Sequence, residues 1–309
     1  MPEITLKELN EKLRGAKATV DGDERIYEAK VRLIADKVRR NRKIRLILLA
    51  GPSGSGKTTT ANLIADAIRA MGEEATVVSL DDFYRAQSDP LYPRLADGTL
   101  DYESPESLDL GKLSFTLSQI IKGENFEIPK YDFKSGSPIH TKKHPPTDGC
   151  VIIEGLHALN PKISERLPKE KILKLFVSVS TNINDGTERI ISGRKIRFVR
   201  RLVRDSIYRG ADAVRTLSLW RGVLLAEDIY LYPYKKDADI AFDTFHSFEL
   251  GAMRGYALPL LTEELAEREP YAKTVRDALL KIHPLDPALI PESSLIREFI
   301  PGGKYEALY

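Results

Sequence analysis

The chain has 309 residues, 42% of them hydrophobic and 30% charged, which is the composition of a globular protein large enough to bury a sizeable core. Its formal net charge of +2 excludes a protein that is basic over its whole surface, so any polyanion site must be local. The single cysteine, Cys150, excludes an internal disulfide framework. We see no secretory signal and no apolar run near the ~20 residues that a membrane span needs, so we expect a cytoplasmic protein that does not contact membranes.

The first half of the chain predicts alternating helices and strands. Apolar residues recur at helical spacing over residues 24–41, which predicts an amphipathic helix. Residues 43–50 are apolar and rich in β-formers, as expected of a buried parallel strand. The pattern then predicts a helix over 57–71, a strand over 74–80 and a helix over 106–122.

The second half continues the alternation. Buried strands are predicted over 149–159, 172–180 and 237–244, with helices over 195–210 and 212–228 between the last two. The remainder reads as helical and ends in an irregular tail that contains proline.

This order of elements predicts an α/β fold with a mainly parallel sheet flanked by helices. We expect a catalytic domain over 43–265, an N-terminal helical extension over 1–42 and a C-terminal helical or irregular extension over 266–309. We recognise no catalytic or binding motif in either extension.

A phosphate-binding loop follows the first strand. Gly51, Gly56, Lys57 and Thr58 satisfy the spacing G-x-x-x-x-G-K-[ST], between a predicted strand and a predicted helix. Glycines let backbone N–H groups curl around phosphate oxygens, the lysine reaches the outer phosphates, and the threonine hydroxyl ligates Mg²⁺. The loop indicates a P-loop NTPase fold that binds a nucleoside triphosphate, with expected contacts from Gly51, Ser53, Gly54, Ser55, Gly56, Lys57, Thr58 and Thr59.

Acidic residues follow two of the predicted strands. Asp81 and Asp82 come after the strand over 74–80, and Glu154 ends the next one. Sites form beyond the carboxyl ends of parallel strands, so Asp81 is a candidate base for a hydroxyl acceptor. We expect Mg²⁺ at Thr58, Asp81 and Glu154. The alternative for the two aspartates is a helix cap or a turn.

A strongly basic stretch lies between residues 189 and 209. Its basic residues, against the single acid Asp205, are Arg189, Arg194, Lys195, Arg197, Arg200, Arg201, Arg204 and Arg209. The predicted helix has an apolar stripe, and the arginines are expected mainly on its remaining surface. Such a run could be a solvated face, a nucleic-acid contact or a lid that closes on a triphosphate. Together with the phosphate loop it favours a lid over about 189–211, and we expect no nucleic-acid partner.

Several motifs, in order across about 45–245, resemble the uridine kinase/phosphoribulokinase-like family of P-loop kinases. They are GPSGSGKTT, SLDDFY (79–84), LDYESPESLD (100–109), IPKYDF (128–133), VIIEG (151–155) and RFVRRLVRDSIYRG (197–210). The resemblance implies phosphoryl transfer from ATP with Mg²⁺ to a small-molecule hydroxyl.

The resemblance also implies residue roles. Asp81 would be the catalytic base, Glu103 would hold acceptor hydroxyls, and Tyr131 would lie against the acceptor. Lys57, Arg201 and Arg204 would stabilise the transition state, Arg200 and Arg209 would contact ATP, and Arg197 the acceptor. Tyr84 could shape the acceptor pocket or anchor its loop, and we favour the pocket. His157 could touch the acceptor or be a buried structural histidine.

One departure concerns the acceptor. In pyrimidine nucleoside kinases of this family, a histidine three residues after the Y-D-F motif reads the base, but Gly136 stands there. His140 and His144 are candidate substitutes. The expected acceptor is a nucleoside such as uridine or cytidine, and the alternative is a sugar, polyol or sugar phosphate. A nucleotide-dependent switch is the alternative of another class. The family also implies a possible homo-oligomer, a dimer or tetramer.

Overall fold

The structure, a computed structural model, describes residues 2–308. Its strands are β1 (Glu3–Thr5), β2 (Leu46–Ala50), β3 (Ala75–Ser79), β4 (Phe126–Asp132), β5 (Ser137–His144), β6 (Cys150–Glu154), β7 (Ile172–Ser178), β8 (Asn182–Asp185), β9 (Glu188–Ile191) and β10 (Ile240–Asp243). Its α-helices are α1 (Leu6–Arg14), α2 (Ala16–Arg40), α3 (Lys57–Ala70), α4 (Leu110–Lys122), α5 (Pro161–Ser164), α6 (Gly193–Arg209), α7 (Ala213–Tyr230), α8 (Glu249–Leu260), α9 (Glu263–Arg268) and α10 (Pro270–Lys281).

A parallel sheet with the strand order β10-β7-β2-β6-β3 forms the centre of the protein. All five strands fall where the sequence predicts them, which confirms the expected α/β fold with a mainly parallel sheet. The carboxyl ends of β2, β3 and β6 lie side by side, with Ser79 of β3 in register with Glu154 of β6. The predicted loop and the predicted acids therefore meet at one edge of the sheet.

Helices cover both faces of this sheet, and β2 shows how. Ile47 and Leu49 belong to one hydrophobic cluster, while Leu46, Leu48 and Ala50 belong to the other. Alternate residues of a strand point to opposite faces, so a strand buried on both sides reads as one continuous apolar run.

The terminal segments pack into the core around the phosphate-loop helix α3. Helix α2, together with Ile290, Leu295 and Phe299 of the C-terminal tail, shares a cluster with Ile64 of α3. Helix α1 precedes the predicted N-terminal helix and begins with a capping box between Thr5 and Glu8. In residues 2–308 we find no helix with the length and apolar character needed to traverse a bilayer.

Two smaller sheets were not predicted from the sequence. Strands β4 and β5 form an antiparallel hairpin, and β1 pairs with β8, which pairs with β9. Strand β5 (SPIHTKKH) is mostly exposed and polar, so it lacks the apolar alternation by which strands are recognised. Strands β8 and β9 occupy the stretch before the basic helix.

Candidate active site at the carboxyl edge of the sheet

The phosphate loop connects β2 to α3, as the motif requires. Gly54 has φ +71°, and a Cβ there would lie 2.7 Å from the carbonyl oxygen of Arg197, so this position requires glycine. Helix α3 begins at Lys57 with Gly56 as its N-cap. The positive end of the helix macrodipole thus faces the loop and favours an anion there.

Thr58 and Glu154 meet beside the loop. The Thr58 hydroxyl donates to Glu154 Oε1 at 3.4 Å. Glu154 is buried, and burial raises its pKa to about 7, with Lys57 lowering it and Asp81 raising it further. Within residues 2–308 no group of three or more His, Cys, Asp or Glu side chains could hold a metal by itself. Mg²⁺ usually takes one or two protein oxygens and completes its shell with phosphates and waters, so this pair fits the ion.

Asp81 lies in the first turn after β3. Its backbone N–H donates to Ser79 Oγ at 3.3 Å, and its side chain is exposed to solvent. The protein walls around the cleft nevertheless raise the pKa of Asp81 above its usual value, and the nearby charges of Lys57, Arg209 and Arg204 oppose this rise. The carboxylate thus stands in the electrostatic field of the loop lysine and the basic helix.

The neighbouring Asp82 has a different task. Its Oδ1 accepts a hydrogen bond from the backbone N–H of Tyr131 at 3.4 Å and forms an ion pair with Lys130 at 3.0 Å. Asp82 therefore fastens the β4–β5 hairpin to the turn that carries Asp81.

The N-terminal half of α6 contradicts the sequence-based expectation. Arg197 and Arg200 do not lie on the helix surface, because both side chains are 0% exposed. Arg197 donates to both carboxylate oxygens of Glu227 at 2.8 Å, and Arg200 pairs with Glu249 at 2.5 and 3.1 Å. Buried charges require such partners.

The same two arginines also hold the phosphate loop from behind. Arg197 donates to the carbonyl oxygen of Ser53 at 2.8 Å, and Arg200 donates to that of Gly54 at 3.2 Å. Their guanidinium groups point at buried carboxylates and loop carbonyls. They do not reach the cleft, where the sequence placed Arg197 against the acceptor and Arg200 against ATP.

The C-terminal half of α6 faces the cleft. Arg201, Arg204 and Arg209 form ion pairs with Asp205 at 3.2, 2.8 and 3.3 Å, and Arg201 donates to Ser53 Oγ at 3.0 Å. Burial raises the pKa of Asp205, but the arginines outweigh it and leave the pKa below its usual value. Three guanidinium groups against one carboxylate leave an excess of positive charge beside the loop, which suits a triphosphate.

Aromatic side chains form the opposite wall. The Tyr84 and Tyr131 rings lie 5.5 Å apart, and the Phe133 ring is 5.0 Å from Tyr131 and 5.9 Å from Tyr84. The Tyr84 hydroxyl donates to the carbonyl oxygen of Tyr102 at 3.0 Å. Such rings offer flat apolar surface with polar hydroxyl ends.

Glu103 and His157 complete this wall. The Glu103 carboxylate interacts with Arg201 and Asp81, and burial raises its pKa. His157 is buried with its ring near the backbone of Glu103, and burial lowers its pKa to about 4, so the imidazole is neutral. This placement favours a structural role for His157 in positioning the segment of Glu103.

Sequence reasoning missed the groups that support the loop. Glu227 and Glu249 lie on largely apolar helices. The only sequence feature that could have identified them as partners of the arginines is an acidic residue on the apolar face of a helix. The C-terminal tail gave no signal at all. A Cβ at Gly56 would lie 2.6 Å from Leu295 Cδ1, and Glu298 Oε2 accepts from the backbone N–H of Thr59 at 3.3 Å.

Comparison with known proteins finds related sequences for this region. The sequence model of the phosphoribulokinase / uridine kinase family matches residues 46–250, about two-thirds of the chain. A protein named uridine kinase from Schizosaccharomyces pombe is 33% identical over 176 residues, which cover 57% of this chain and 35% of that protein. Proteins of the same name from Halobacterium salinarum and Deinococcus deserti are 27% identical over 198 residues and 31% identical over 197 residues.

The share of each relative that is matched differs widely. The alignments cover 62% of this chain and 76% of the Halobacterium salinarum protein, and 63% of this chain and 85% of the Deinococcus deserti protein. The chain thus spans about a third of the Schizosaccharomyces pombe relative but most of the two prokaryotic ones.

Proposed function

The chain belongs to the phosphoribulokinase / uridine kinase family, and we propose that it transfers the terminal phosphoryl group of ATP to a hydroxyl group of a nucleoside. The observation that carries the proposal is the position of Asp81. A carboxylate stands at the mouth of the phosphate loop, within the field of Lys57, Arg204 and Arg209. A hydroxyl placed between Asp81 and the terminal phosphorus would have its base on one side and its target on the other.

The donor side holds the triphosphate. Loop N–H groups and the N-terminus of α3 surround the phosphates, and Lys57 reaches the outer ones. Mg²⁺, when bound, would lie at Thr58 and Glu154 and neutralise phosphate charge. Arg201, Arg204 and Arg209 add positive charge where negative charge develops during transfer. Arg197 and Arg200 act indirectly, because their hydrogen bonds to loop carbonyl oxygens hold the loop in position.

The chemical step needs one proton acceptor. The Asp81 carboxylate takes the proton of the acceptor hydroxyl as its oxygen bonds to the terminal phosphorus. The bond between that phosphorus and the bridging oxygen breaks, and ADP leaves. The loop, the arginines and the aromatic wall together reduce access of water, which would otherwise compete as acceptor.

The acceptor side favours a nucleoside over a polyol. A flat base can lie against Phe133 and Tyr84, while Glu103 and Asp81 can accept hydrogen bonds from ribose hydroxyls. A polyol or simple sugar lacks the flat face that these rings match. The name uridine kinase, which these relatives carry, points the same way.

An acceptor screen tests the proposal. ADP release from ATP and Mg²⁺ is measured with uridine, cytidine, purine nucleosides, ribose, cyclitols and sugar phosphates. We expect stimulation by pyrimidine nucleosides and its loss in Lys57→Ala. Release that no compound stimulates would contradict the proposal and favour a nucleotide-dependent switch.

A further inference from the structure

The hairpin between β4 and β5 lacks a base-reading side chain at its tip. Position 136 is glycine, with φ +65°, and neither histidine that follows it takes over. His140 is exposed and pairs in register with Lys130. His144 stacks on Phe126 at the far end of the hairpin, with ring centroids 5.1 Å apart.

A glutamine from a different segment fills the space instead. A Cβ built on Gly136 would lie 2.6 Å from Cδ of Gln87 and 2.8 and 2.9 Å from the two polar atoms of its amide. The backbone N–H of Gln87 also donates to the carbonyl oxygen of Gly136 at 2.9 Å. The segment after Tyr84 is thus docked on the hairpin tip, and the glycine makes room for the amide.

The amide is held next to the aromatic wall. The side chain of Gln87 interacts with that of Tyr131, and the Tyr131 ring packs against Tyr84 and Phe133. The amide therefore lies beside the aromatic wall formed by Tyr84, Tyr131 and Phe133. A primary amide offers both a donor and an acceptor to a ligand.

We propose that Gln87 determines acceptor specificity by hydrogen-bonding to the edge of a pyrimidine ring that lies against the exposed ring of Phe133. This inference rests on the proposed function and names the residue that reads the acceptor. An amide carries a donor and an acceptor side by side, which matches the N3 and C4 edge of uracil in one orientation and of cytosine in the other. Because the Tyr131 hydroxyl can donate or accept, either orientation keeps its anchor. The pocket is therefore expected to accept both uridine and cytidine.

The test is a double-mutant cycle that varies the side chain of residue 87 and the exocyclic group at C4 of the acceptor. Wild type, Gln87→Leu and the loop control Ser88→Ala, an exposed neighbour, are assayed with uridine, cytidine and the riboside of pyrimidin-2-one, which lacks the exocyclic group at C4. Leucine keeps the approximate size of glutamine and removes both hydrogen-bonding groups. The KM for ATP and the urea unfolding midpoint are measured alongside, because a merely structural role would move them.

The expected result is a selective loss. Wild type and Ser88→Ala prefer uridine to the truncated riboside by about tenfold or more in kcat/KM, since an unmatched polar group in the site is costly. Gln87→Leu raises the KM for uridine and cytidine by about tenfold, discriminates the two ribosides by less than about threefold, and keeps the KM for ATP.

Three outcomes would overturn the inference, and each is distinct. Nucleoside turnover with the same KM and discrimination in Gln87→Leu removes the role of Gln87 and leaves the proposed function intact. Turnover with sugars or polyols but with no nucleoside would contradict the recognition of a base edge by Gln87, whereas the protein would still be a phosphotransferase. No stimulated turnover with any compound in wild type removes the proposed function and this inference with it.

Discussion

On the phosphate-loop side of the cleft the charged groups that hold the backbone are fully buried, whereas on the acceptor side the outer ring of the aromatic wall is open to solvent. Arg197 and Arg200 are 0% exposed, while Phe133 is 65% exposed and covers the buried Tyr131, which is 4% exposed. Buried charges must keep their partners, so changes on the first side should cost stability. Changes on the second side should alter acceptor use and leave the fold intact.

The largest stability effect is expected from breaking one buried ion pair. Arg200→Met leaves Glu249 buried without its guanidinium partner and should lower the free energy of unfolding by about 3–5 kcal/mol. Arg194→Met, which removes the half-exposed pair with Asp228 on the same helix, should cost about 1 kcal/mol or less. Urea unfolding of both variants measures the difference. Equal losses would contradict the account of a buried support for the loop.

The tail contact should have the next largest effect. Leu295 is fully buried against Gly56, so Leu295→Ala leaves a cavity behind the phosphate loop and should cost about 2–5 kcal/mol. It should also raise the KM for ATP, because the loop loses its backing, with the KM for the acceptor unchanged. Leu308→Ala, an exposed leucine of the same tail, is the control. A KM for ATP that stays at the wild-type value in Leu295→Ala would show that the tail does not position the loop.

A buried acid on the loop side gives a pH-dependent effect. Burial raises the pKa of Glu24 from 4.5 to about 7, so between these values the folded protein binds a proton more tightly than the unfolded chain. The contribution of Glu24 to the free energy of unfolding is therefore fully present below pH 4.5, and it is lost as the pH rises through 7.

Replacement by the neutral isostere isolates this titration. Glu24→Gln should match wild type near pH 4.5 and exceed it at pH 8 by about 1–3 kcal/mol in the free energy of unfolding. Glu11→Gln, at an exposed position of α1, should follow wild type at both values. A Glu24→Gln variant that is less stable than wild type at pH 8 would contradict the raised pKa.

The smallest stability effect is expected on the acceptor side. Phe133→Ala removes an exposed ring and should change the free energy of unfolding by about 0.5 kcal/mol or less. It should nevertheless raise the KM for the acceptor, since stacking surface is lost, and keep the KM for ATP. Steady-state kinetics with each substrate varied in turn separate the two. A loss of ATP affinity without a loss of acceptor affinity would reverse the comparison between the two sides.

The same contrast explains what the sequence could predict. The loop motif, the strands of the parallel sheet and the acids at their ends depend on local pattern, and the structure brings Lys57, Thr58, Asp81 and Glu154 together. The partners of the buried arginines depend on tertiary packing. A run of arginines looks the same in sequence whether a guanidinium meets water or a carboxylate on another helix, so the surface position expected for Arg197 and Arg200 was wrong.

The acceptor side was predictable only in part. The resemblance indicated Tyr131 and Glu103, and the structure places them near Tyr84 and Arg201. The hairpin escaped prediction because β5 has almost no buried residue to set an alternation. The packing of Gln87 on Gly136 joins residues far apart in sequence, and periodicity within one segment cannot reveal such a contact.

The central claim is that Asp81 accepts the proton of the acceptor hydroxyl. Turnover and ATP affinity of Asp81→Asn, with Asp82→Asn as the matched neighbour that keeps its oxygen toward Tyr131, test it most directly. We expect kcat to fall by about 10²–10⁴-fold in Asp81→Asn with ATP binding nearly unchanged, and to stay close to wild type in Asp82→Asn. Turnover of Asp81→Asn at the wild-type rate would contradict the account.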